Sequence, residues 1–274
     1  MTNIVIFTDL DGTLLDYSNY SFEKALPAIE FIKLRTIPLI LCSSKTRTEI
    51  EYYRRKLANH HPFISENGGG IFIPKHYFDT PIPAGLYNIE EEADYDVIRL
   101  GARYTDLRRV IEELREKGYE ITGFGDMTIE ELAASANMSI DEATMAKERD
   151  FDEPFVYKGP GHKLCSLFGA ISEKGFKFTR GRFFHIMGST DKGLAVSILI
   201  DLYKLKHGNV RTIGAGDAPN DIPMLERVDY PVVVQKRDGT YESQIDIPKL
   251  IKAEGIGPEG WNKVILELLR REPD

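Results

Sequence analysis

Four short apolar segments, joined by helical patterns, constrain the fold of this chain more than any other feature. They are rich in Ile and Val and cover residues 4–7, 38–42, 210–213 and 231–234. Apolar runs of this length without strict alternation are typical of strands buried on both faces of a parallel sheet. The helical patterns lie at residues 21–33, 46–57 and 193–205. This order predicts an α/β fold with a doubly wound, Rossmann-like parallel sheet as its core.

The middle of the chain has a different pattern, which begins at a Pro/Gly-rich boundary, TPIPAGL. Its candidate strands lie at residues 95–100, 174–179 and 182–187. Its candidate helices lie at residues 104–117, 129–136 and 140–149. We interpret residues 84–188 as an inserted α+β cap domain, and residues 1–83 and 189–274 as one core domain. The alternative is a second domain that takes no part in the chemistry.

Composition narrows the possible partners of the protein. The chain of 274 residues has a net charge of −8, which argues against nonspecific binding of nucleic acid. No apolar run reaches the ~18 residues of a membrane span, and no signal peptide is visible. The two cysteines, Cys42 and Cys165, are too far apart for a metal motif and suggest no disulfide framework. We therefore expect a cytoplasmic protein without a nucleic-acid or membrane partner, whose site must supply the positive charge for any anionic ligand.

The segment Asp9-Leu10-Asp11-Gly12-Thr13 directly follows the first predicted strand. Residues two apart in an extended segment point the same way, so we expect the carboxyl groups of Asp9 and Asp11 to converge. Two carboxylates ~4 Å apart repel each other by ~4 kcal/mol at an effective dielectric constant of about 20. A shared proton, a bound cation or a lysine must therefore offset the repulsion between the two carboxylates. The segment indicates a functional site, with an acidic turn or helix cap as the alternative.

Two further motifs could bind an anion. Ser43 and Ser44 follow the second strand and precede a helix, whose free N–H groups can hold a phosphate, although N-capping alone also explains them. Lys192 opens a helix, where the helix dipole disfavours a cation. This placement predicts an anionic neighbour, unless Lys192 is simply an exposed lysine beside Asp191.

The fourth motif, GAGDAPND, follows the third predicted strand. Its carboxylates, Asp217 and Asp221, are hard oxygen donors that suit Mg²⁺ better than zinc or a redox metal. An Asp/Pro-rich turn is the alternative. Sites in open parallel sheets form at the carboxyl ends of the strands, so we expect these motifs to meet at one edge.

Taken together, the order acid pair, hydroxyl, lysine and acid pair resembles that of the haloacid dehalogenase-like phosphohydrolases. The larger C2-type caps of that family are inserted between the second and third motifs. The resemblance implies that Asp9 is a nucleophile that forms an aspartyl-phosphate and that Asp11 is the general acid and base. It implies that Mg²⁺ is bound by Asp9, the main-chain carbonyl of Asp11 and Asp217, with Asn220 and Asp221 as outer residues or weaker ligands. It also implies that Ser43, with Ser44 in reserve, and Lys192 hold the phosphate, and that Lys192 offsets the charge of Asp9.

A narrower resemblance, to mannosyl-3-phosphoglycerate phosphatases, covers both core and cap. It rests on LCSSKTRTEIEYYRRKL, PFISENGGGIFIP, FDEPF, TRGRFFHIMG, GDAPNDIPML and GPEGWNKVILELL. It implies a small phosphorylated sugar-glycerate as substrate. The alternatives are another sugar-phosphate phosphatase, acting on glucosyl-3-phosphoglycerate, sucrose phosphate or trehalose phosphate, a phosphomutase, or a binding protein with an inactive site.

Substrate recognition is expected from the cap and the loop that faces it. The planar guanidinium groups of Arg180 and Arg182 suit a carboxylate, with ordinary surface charge as the alternative. The loop of Glu66, Asn67, Gly68 and Gly69 could reach sugar hydroxyls or the glycerate, or could be only a structural turn. None of the six histidines has the spacing of a metal ligand, and we assign none to a metal.

Overall fold

A computed structural model describes residues 3–78 and 87–271 of the chain. The strands are β1 (Asn3–Thr8), β2 (Leu39–Cys42), β3 (Phe63–Ser65), β4 (Gly70–Pro74), β5 (Ile89–Glu91), β6 (Tyr95–Arg99), β7 (Ile121–Gly123), β8 (Asp152–Tyr157), β9 (Lys177–Arg180), β10 (Phe184–Met187), β11 (Val210–Gly216), β12 (Tyr230–Gln235) and β13 (Ile251–Ile256). The helices are α1 (Leu26–Leu34), α2 (Arg47–Lys56), α3 (Tyr104–Glu116), α4 (Ile129–Ala136), α5 (Ile140–Ala146), α6 (Leu164–Glu173), α7 (Lys192–His207), α8 (Ile222–Leu225) and α9 (Pro258–Arg271). Most of the predicted boundary TPIPAGL lies outside the described residues.

The core sheet has nine strands within the described residues, in the order β13-β12-β11-β1-β2-β3-β4-β6-β5. From β13 to β3 neighbouring strands are parallel, whereas β4, β6 and β5 continue the sheet in antiparallel pairs. The central strand β1 pairs with β2 and β11, which aligns their carboxyl ends at one edge. The predicted site motifs follow these three strands or open α7.

Both faces of the core sheet are covered by helices. In β1, Ile6 packs on the side of α1, α2 and α9, while Val5 and Phe7 pack on the side of α7 and α8. Such burial of alternate residues on opposite faces explains why the sequence of this strand is apolar without alternation. Trp261 of α9 is completely buried in the first of these clusters. The predicted doubly wound α/β core is therefore confirmed.

The inserted cap has its own sheet, in which the described strands follow the order β7-β8-β10-β9 and all pair antiparallel. Helices α3 and α6 cover this sheet, with Leu107, Ile111 and Leu167 in the shared cluster. A smaller cluster holds α4 and α5 beside Phe124. The cap thus has an α+β architecture, as the sequence predicts.

One predicted boundary differs from the structure. The strand predicted at residues 95–100 was placed in the cap domain of 84–188, but β6 pairs with β4 in the core sheet, from Gly70–Arg99 to Pro74–Tyr95. The apolar faces of β4 and β6 bury Phe72, Val97 and Ile98, which an unpaired edge strand would expose. Residues 89–99 therefore belong to the core, and the cap begins after them.

Two strands of the cap start later than predicted. The strand predicted at residues 174–179 begins at Lys177, because Gly175 adopts a φ of +82° and keeps the chain in a turn. The strand predicted at 182–187 begins at Phe184, because the Gly181 N–H donates to the Phe183 carbonyl in the hairpin turn. Within residues 3–78 and 87–271, no helix combines the length and the apolar character needed to cross a membrane.

Candidate active site

A cavity of about 770 Å³ lies between the carboxyl edge of the core sheet and the cap. Asp9, Asp11 and Asp217 line it from the core, and Phe183 and His185 line it from the cap. Asp217 is distant in sequence from Asp9 and Asp11, and it meets them here because β1 and β11 are parallel neighbours that end at the same edge.

Asp9 is held by a buried lysine. Lys192, the first residue of α7, is completely buried, and its Nζ lies 2.7 Å from Asp9 Oδ1 and 2.6 Å from Asp221 Oδ1. The side chain of Asp191 caps α7 by accepting from the Leu194 N–H. Lys192 therefore has the anionic neighbours that its position at a helix N-terminus predicts, and these neighbours are protein carboxylates.

Asp217 passes close to the backbone of the first motif. Its Oδ1 accepts a hydrogen bond from the Thr13 hydroxyl at 3.1 Å. Gly12 has a φ of +85°, and a Cβ atom at this position would lie 2.6 Å from Asp217 Oδ2. Glycine is therefore required at position 12 both by the backbone conformation and by the space that the Asp217 carboxylate occupies.

Asp221 and Asn220 have different surroundings, although they are neighbours. Asp221 Oδ2 accepts from the N–H groups of Asp217 and Ala218, and its Oδ1 accepts from Lys192, so it shapes the loop that carries Asp217. Asn220 donates its Nδ2 to Asn67, whereas its Oδ1 is buried without a hydrogen-bond partner in the described part of the chain. A buried carbonyl oxygen of this kind is available to a cation, a water molecule or a substrate.

The buried carboxylates form a set of donors that fits a hard divalent cation. Oxygen atoms of Asp9, Asp217 and Asp221 lie within 4.8 Å of one another. Burial raises the pKa of Asp9 to about 7 against the effect of Lys192, while burial and the charges of Asp9 and Asp221 raise the pKa of Asp217 well above its usual range. One lysine thus faces three buried acids, and a cation with oxygen ligands would balance the remaining charge.

Asp11 forms an ion pair with a second lysine, Lys45, which was not predicted as a site residue from the sequence. Lys45 Nζ lies 3.1 Å from Asp11 Oδ2 and 3.1 Å from Glu49 Oε1, and Tyr20 covers it with its ring at 4.7 Å. Burial raises the pKa of Asp11, and Lys45 opposes this rise. The predicted repulsion between Asp9 and Asp11 is therefore relieved by a separate lysine for each carboxyl group.

The two serines after β2 are placed differently. Ser43 is completely buried, and its hydroxyl accepts from the Lys45 N–H at 3.2 Å. Ser44 lines the cavity, whereas Ser43 does not. Ser43, with Ser44 in reserve, stays the predicted phosphate-binding hydroxyl, because Lys192 is also completely buried and absent from the cavity lining.

The glycine-rich loop after β3 holds the cap to the core instead of lining the cavity. Both carboxylate oxygens of Glu66 accept hydrogen bonds from the N–H groups of Asp150, Phe151 and Asp152, at 2.9 to 3.1 Å. Cβ atoms at Gly68 and Gly69 would lie 2.2 Å from the Asp191 carbonyl and 2.2 Å from Phe151 Cβ, respectively. None of Glu66, Asn67, Gly68 and Gly69 lines the cavity in this structure, and a contact of these residues with substrate stays a prediction.

The two predicted arginines of the cap do reach the cavity. Arg182 donates to the Tyr20 hydroxyl at 2.8 Å, which joins the cap to the loop after Asp11. Arg180 lies over the ring of Phe184, 5.1 Å from its centroid. Their guanidinium groups place positive charge on the cap side of the cavity.

Sequence reasoning missed two other cavity residues of the cap, Arg149 and His185. Arg149 is buried and donates to the Ser44 carbonyl at 2.9 Å. His185 Nδ1 lies 2.9 Å from Asp152 Oδ1. Arg149 stands at the end of a predicted helix, and His185 lies within the quoted segment TRGRFFHIMG, but their partners are distant in sequence and no spacing rule reveals the pairs.

Comparison with known proteins identifies a family with a similar sequence. Residues 6–242 match the model of the haloacid dehalogenase-like hydrolases. A glucosyl-3-phosphoglycerate/mannosyl-3-phosphoglycerate phosphatase of Methanococcoides burtonii is 45% identical over 267 residues, which cover 97% of each chain. A mannosyl-3-phosphoglycerate phosphatase of Pyrococcus furiosus is 37% identical over 232 residues, 84% of this chain and 90% of that one.

Among solved structures, a Thermoplasma acidophilum protein has a similar fold, with a TM-score of 0.71 at 15% identity over 98% of this chain and 99% of that one. This likeness supports the same arrangement of core and cap. The family match and the relatives of similar sequence show that the chain belongs to the haloacid dehalogenase-like hydrolases, as a phosphoric monoester hydrolase.

Proposed function

We propose that this protein is a Mg²⁺-dependent phosphatase that hydrolyses mannosyl-3-phosphoglycerate to mannosylglycerate and phosphate. The observation that carries the proposal is that two different buried lysines contact Asp9 and Asp11. Lys192 holds Asp9 beside two other carboxylates, while Lys45 holds Asp11 in the same cavity. The arrangement gives one aspartate the surroundings of a nucleophile and the other those of an acid and base.

In the first step, an Asp9 carboxylate oxygen attacks the phosphorus atom and the bond from phosphorus to the leaving oxygen breaks. Asp11 gives its proton to that oxygen, so the leaving oxygen of mannosylglycerate departs as a hydroxyl group and not as an alkoxide. The raised pKa of Asp11 favours the protonated form that this step needs.

In the second step, water attacks the phosphorus atom of the aspartyl-phosphate. Asp11, now ionised, takes the proton of the water, the bond between phosphorus and Asp9 breaks, and phosphate is released. Lys45 stabilises the ionised carboxylate of Asp11 at 3.1 Å, and Lys192 stabilises the carboxylate of Asp9 that returns at the end of the cycle.

The residues that would hold Mg²⁺ are Asp9, Asp217 and the main-chain carbonyl of Asp11, with Asn220 and Asp221 beside them. When bound, Mg²⁺ lets the anionic phosphoryl group approach Asp9 despite their like charges. Asp221 already accepts three hydrogen bonds, so its contribution is to fix the Asp217 loop. Ser43, with Ser44 in reserve, and Lys192 are the proposed phosphate-binding residues.

The choice of substrate rests on the cap and on the relatives. Arg149, Arg180 and Arg182 line the cavity and suit the glycerate carboxylate or the phosphate. A relative that is similar over 97% of the chain bears both the glucosyl and the mannosyl ester in its name. Glucosyl-3-phosphoglycerate is therefore the second candidate substrate, ahead of sucrose phosphate, trehalose phosphate or a phosphomutase reaction. A cytoplasmic location stays a prediction.

A panel of phosphoesters tests the proposal. We expect the enzyme to release phosphate from mannosyl- or glucosyl-3-phosphoglycerate in preference to sucrose phosphate, trehalose phosphate and glycerol phosphate, with Mg²⁺ and not with EDTA. Absence of that preference would refute the substrate, and activity in EDTA would refute the metal. Transfer of phosphate to a sugar phosphate instead of water would indicate a phosphomutase.

Asp9→Asn tests the nucleophile. Because the amide cannot form the aspartyl-phosphate, we expect kcat to fall by about 10⁴-fold or more, with thermal unfolding showing a folded protein. Asp201→Asn, an exposed change on α7, is the matched control and should keep full activity. Substantial turnover by Asp9→Asn would show that the nucleophile is another residue.

A further inference from the structure

A buried histidine and aspartate form a pair in the cap that the proposed mechanism does not use. His185 of β10 is only 4% exposed, and its Nδ1 lies 2.9 Å and 3.0 Å from the two carboxylate oxygens of Asp152 on β8. Asp152 is completely buried and also accepts from Asn67 Nδ2 at 2.6 Å. Because both oxygens of Asp152 are acceptors, Nδ1 carries the hydrogen and the orientation of the ring is fixed.

The second ring nitrogen of His185 has no such partner. In the described part of the chain, the hydrogen bonds of the His185 side chain are those of Nδ1 with Asp152. His185 nevertheless lines the cavity between core and cap. Nε2 is therefore a polar atom on a nearly buried side chain, left for a ligand in that cavity.

Asp152 does not depend on His185 for its counter-charge, because Arg149 is buried nearby. Burial lowers the pKa of Arg149, but Asp152 and Glu66 more than offset this effect. A neutral ring with hydrogen on Nδ1 presents Nε2 as an acceptor, which suits a hydroxyl group and not a carboxylate.

Two aromatic side chains of the cap line the same cavity as His185. Phe124 and Phe183 line the cavity and contact each other edge to face, with ring centroids 4.9 Å apart. An aromatic surface next to a fixed hydrogen-bond acceptor can pack against the C–H face of a sugar while receiving one of its hydroxyls.

We propose that His185, oriented by Asp152, accepts a hydrogen bond from a hydroxyl group of the sugar in the leaving group and so makes the cap selective for glycosyl esters. This inference rests on the proposed function, because it names the part of the cap that recognises the proposed substrate. It assigns the sugar to His185 and leaves the arginines for the anionic groups.

Two substitutions of His185 distinguish the role of Nδ1 from that of Nε2. His185→Asn keeps a donor at the place of Nδ1 for Asp152 but lacks the acceptor, whereas His185→Gln places an amide oxygen near Nε2. The quantity to measure is the ratio of kcat/KM for the preferred glycosyl-3-phosphoglycerate to kcat/KM for p-nitrophenyl phosphate, which has no sugar. We expect His185→Asn to lower this ratio about tenfold through a higher KM, and His185→Gln to restore at least part of it.

His162→Asn, at an exposed position of the cap, should leave the ratio unchanged. Equal losses with both substrates in His185→Asn would indicate a purely structural role, and an unchanged ratio would exclude the contact; both results overturn the inference. If His185→Asn does not fold by thermal unfolding, Asp152→Asn replaces it, and an unchanged ratio there overturns the inference as well.

The substrate preference of the wild-type enzyme shows whether a failure concerns the proposed function or the role of His185. If it does not prefer a glycosyl-3-phosphoglycerate, the proposed function fails, and the ratio is measured with the sugar phosphate that it cleaves best. A fall of that ratio in His185→Asn would still support recognition of a sugar by His185. A wild-type enzyme that cleaves no sugar ester better than p-nitrophenyl phosphate would overturn both.

Discussion

Gly12 determines how closely two loops of the site approach each other. Its φ of +85° and the 2.6 Å distance from a Cβ atom to Asp217 Oδ2 leave no room for a side chain. Gly12→Ala should therefore displace the Asp217 carboxylate and raise the Mg²⁺ concentration needed for half-maximal activity by about tenfold or more. Activity measured against Mg²⁺ concentration tests this prediction.

Gly118, at the end of α3, provides a matched control for Gly12. It has the same φ of +85°, but a Cβ atom there would have no described atom within 4 Å. Both alanine variants should lose about 1–2 kcal/mol of stability from the left-handed backbone, and only Gly12→Ala should need more Mg²⁺. An equal Mg²⁺ requirement in the two variants would contradict the role assigned to Gly12.

At the scale of single residues, the sequence singled out the acids of the site and Lys192 but not Lys45, which balances Asp11. Asp9, Asp11 and Asp217 follow strands, so the rule for parallel sheets brings them to one edge. Lys45 was visible in its motif, but its partner Asp11 lies on a different strand end. Glu66 was assigned to substrate because a glycine-rich turn also suits ligands; its three backbone partners belong to the cap and appear only in the tertiary structure.

At the scale of elements, a hydrogen-bonded chain of three side chains joins the start of β3 to α7. His61 Nδ1 lies 2.7 Å from the Tyr77 hydroxyl, which lies 2.7 Å from the Tyr203 hydroxyl. Burial, with the charges of Arg54 and His60, lowers the pKa of His61 to about 4. A neutral His61 can accept from Tyr77, and Tyr77 can then accept from Tyr203.

This chain predicts a pH dependence of stability. The pKa of His61 is lower in the folded state than the 6.5 of an exposed histidine, so the unfolded state binds more protons between pH 4 and 6.5. The stabilisation is complete above pH 6.5 and is lost as the pH falls to about 4, by up to about 3 kcal/mol. His61→Asn keeps an acceptor for Tyr77 but does not titrate. As the pH falls from 6.5 to 4, the free energy of unfolding of this variant should therefore decrease less than that of the wild type.

Urea unfolding of both proteins at several pH values between 7 and 4 tests the prediction. The difference between the two curves isolates His61 from the acids of the site, whose raised pKa values act in the opposite direction. His162→Asn in the cap serves as the control and should follow the wild type. Parallel curves for wild type and His61→Asn would show that His61 does not contribute.

The sequence predicted some elements closely and missed others, including α6 and β8. The pattern at residues 129–136 coincides with α4, and that at 104–117 ends one residue beyond α3, because each has a periodic apolar face. The strands β3, β5 and β7 have three residues each, too few for periodicity to be visible. The edge strand β13 was missed because its sequence, IKAEGI, mixes polar and apolar residues.

At the scale of the whole molecule, polar contacts hold the cap on the cavity. The Thr46 hydroxyl donates to the Met145 carbonyl, Arg149 donates to the Ser44 carbonyl, and Glu66 accepts from the chain entering β8. The sequence indicated an inserted cap but not where it begins, because the strand after the Pro/Gly boundary returns to the core sheet. Sequence order alone cannot distinguish a strand that completes the core from one that opens the cap.

Stability of the whole protein should respond to Mg²⁺ and pH together. Without metal, the pKa of Asp9 is about 7 and that of Asp217 is also raised. Groups with raised pKa values bind more protons in the folded state, so their effect is to stabilise the metal-free protein as the pH falls from 7 towards 4. Mg²⁺ requires the same carboxylates in ionised form and therefore competes with these protons.

The gain in thermal stability on adding Mg²⁺ should consequently increase with pH. At a concentration 100 times the dissociation constant, Mg²⁺ adds about 2.7 kcal/mol to the free energy of unfolding. One unit below the pKa of a ligand, a competing proton weakens binding about tenfold and removes about 1.4 kcal/mol of this gain. We expect a larger rise in Tm at pH 8 than at pH 6 for the wild type, and little rise at either pH for Asp217→Asn. An equal rise at both pH values would show that the buried carboxylates are already ionised without the metal, and an undiminished rise in Asp217→Asn would place the cation elsewhere.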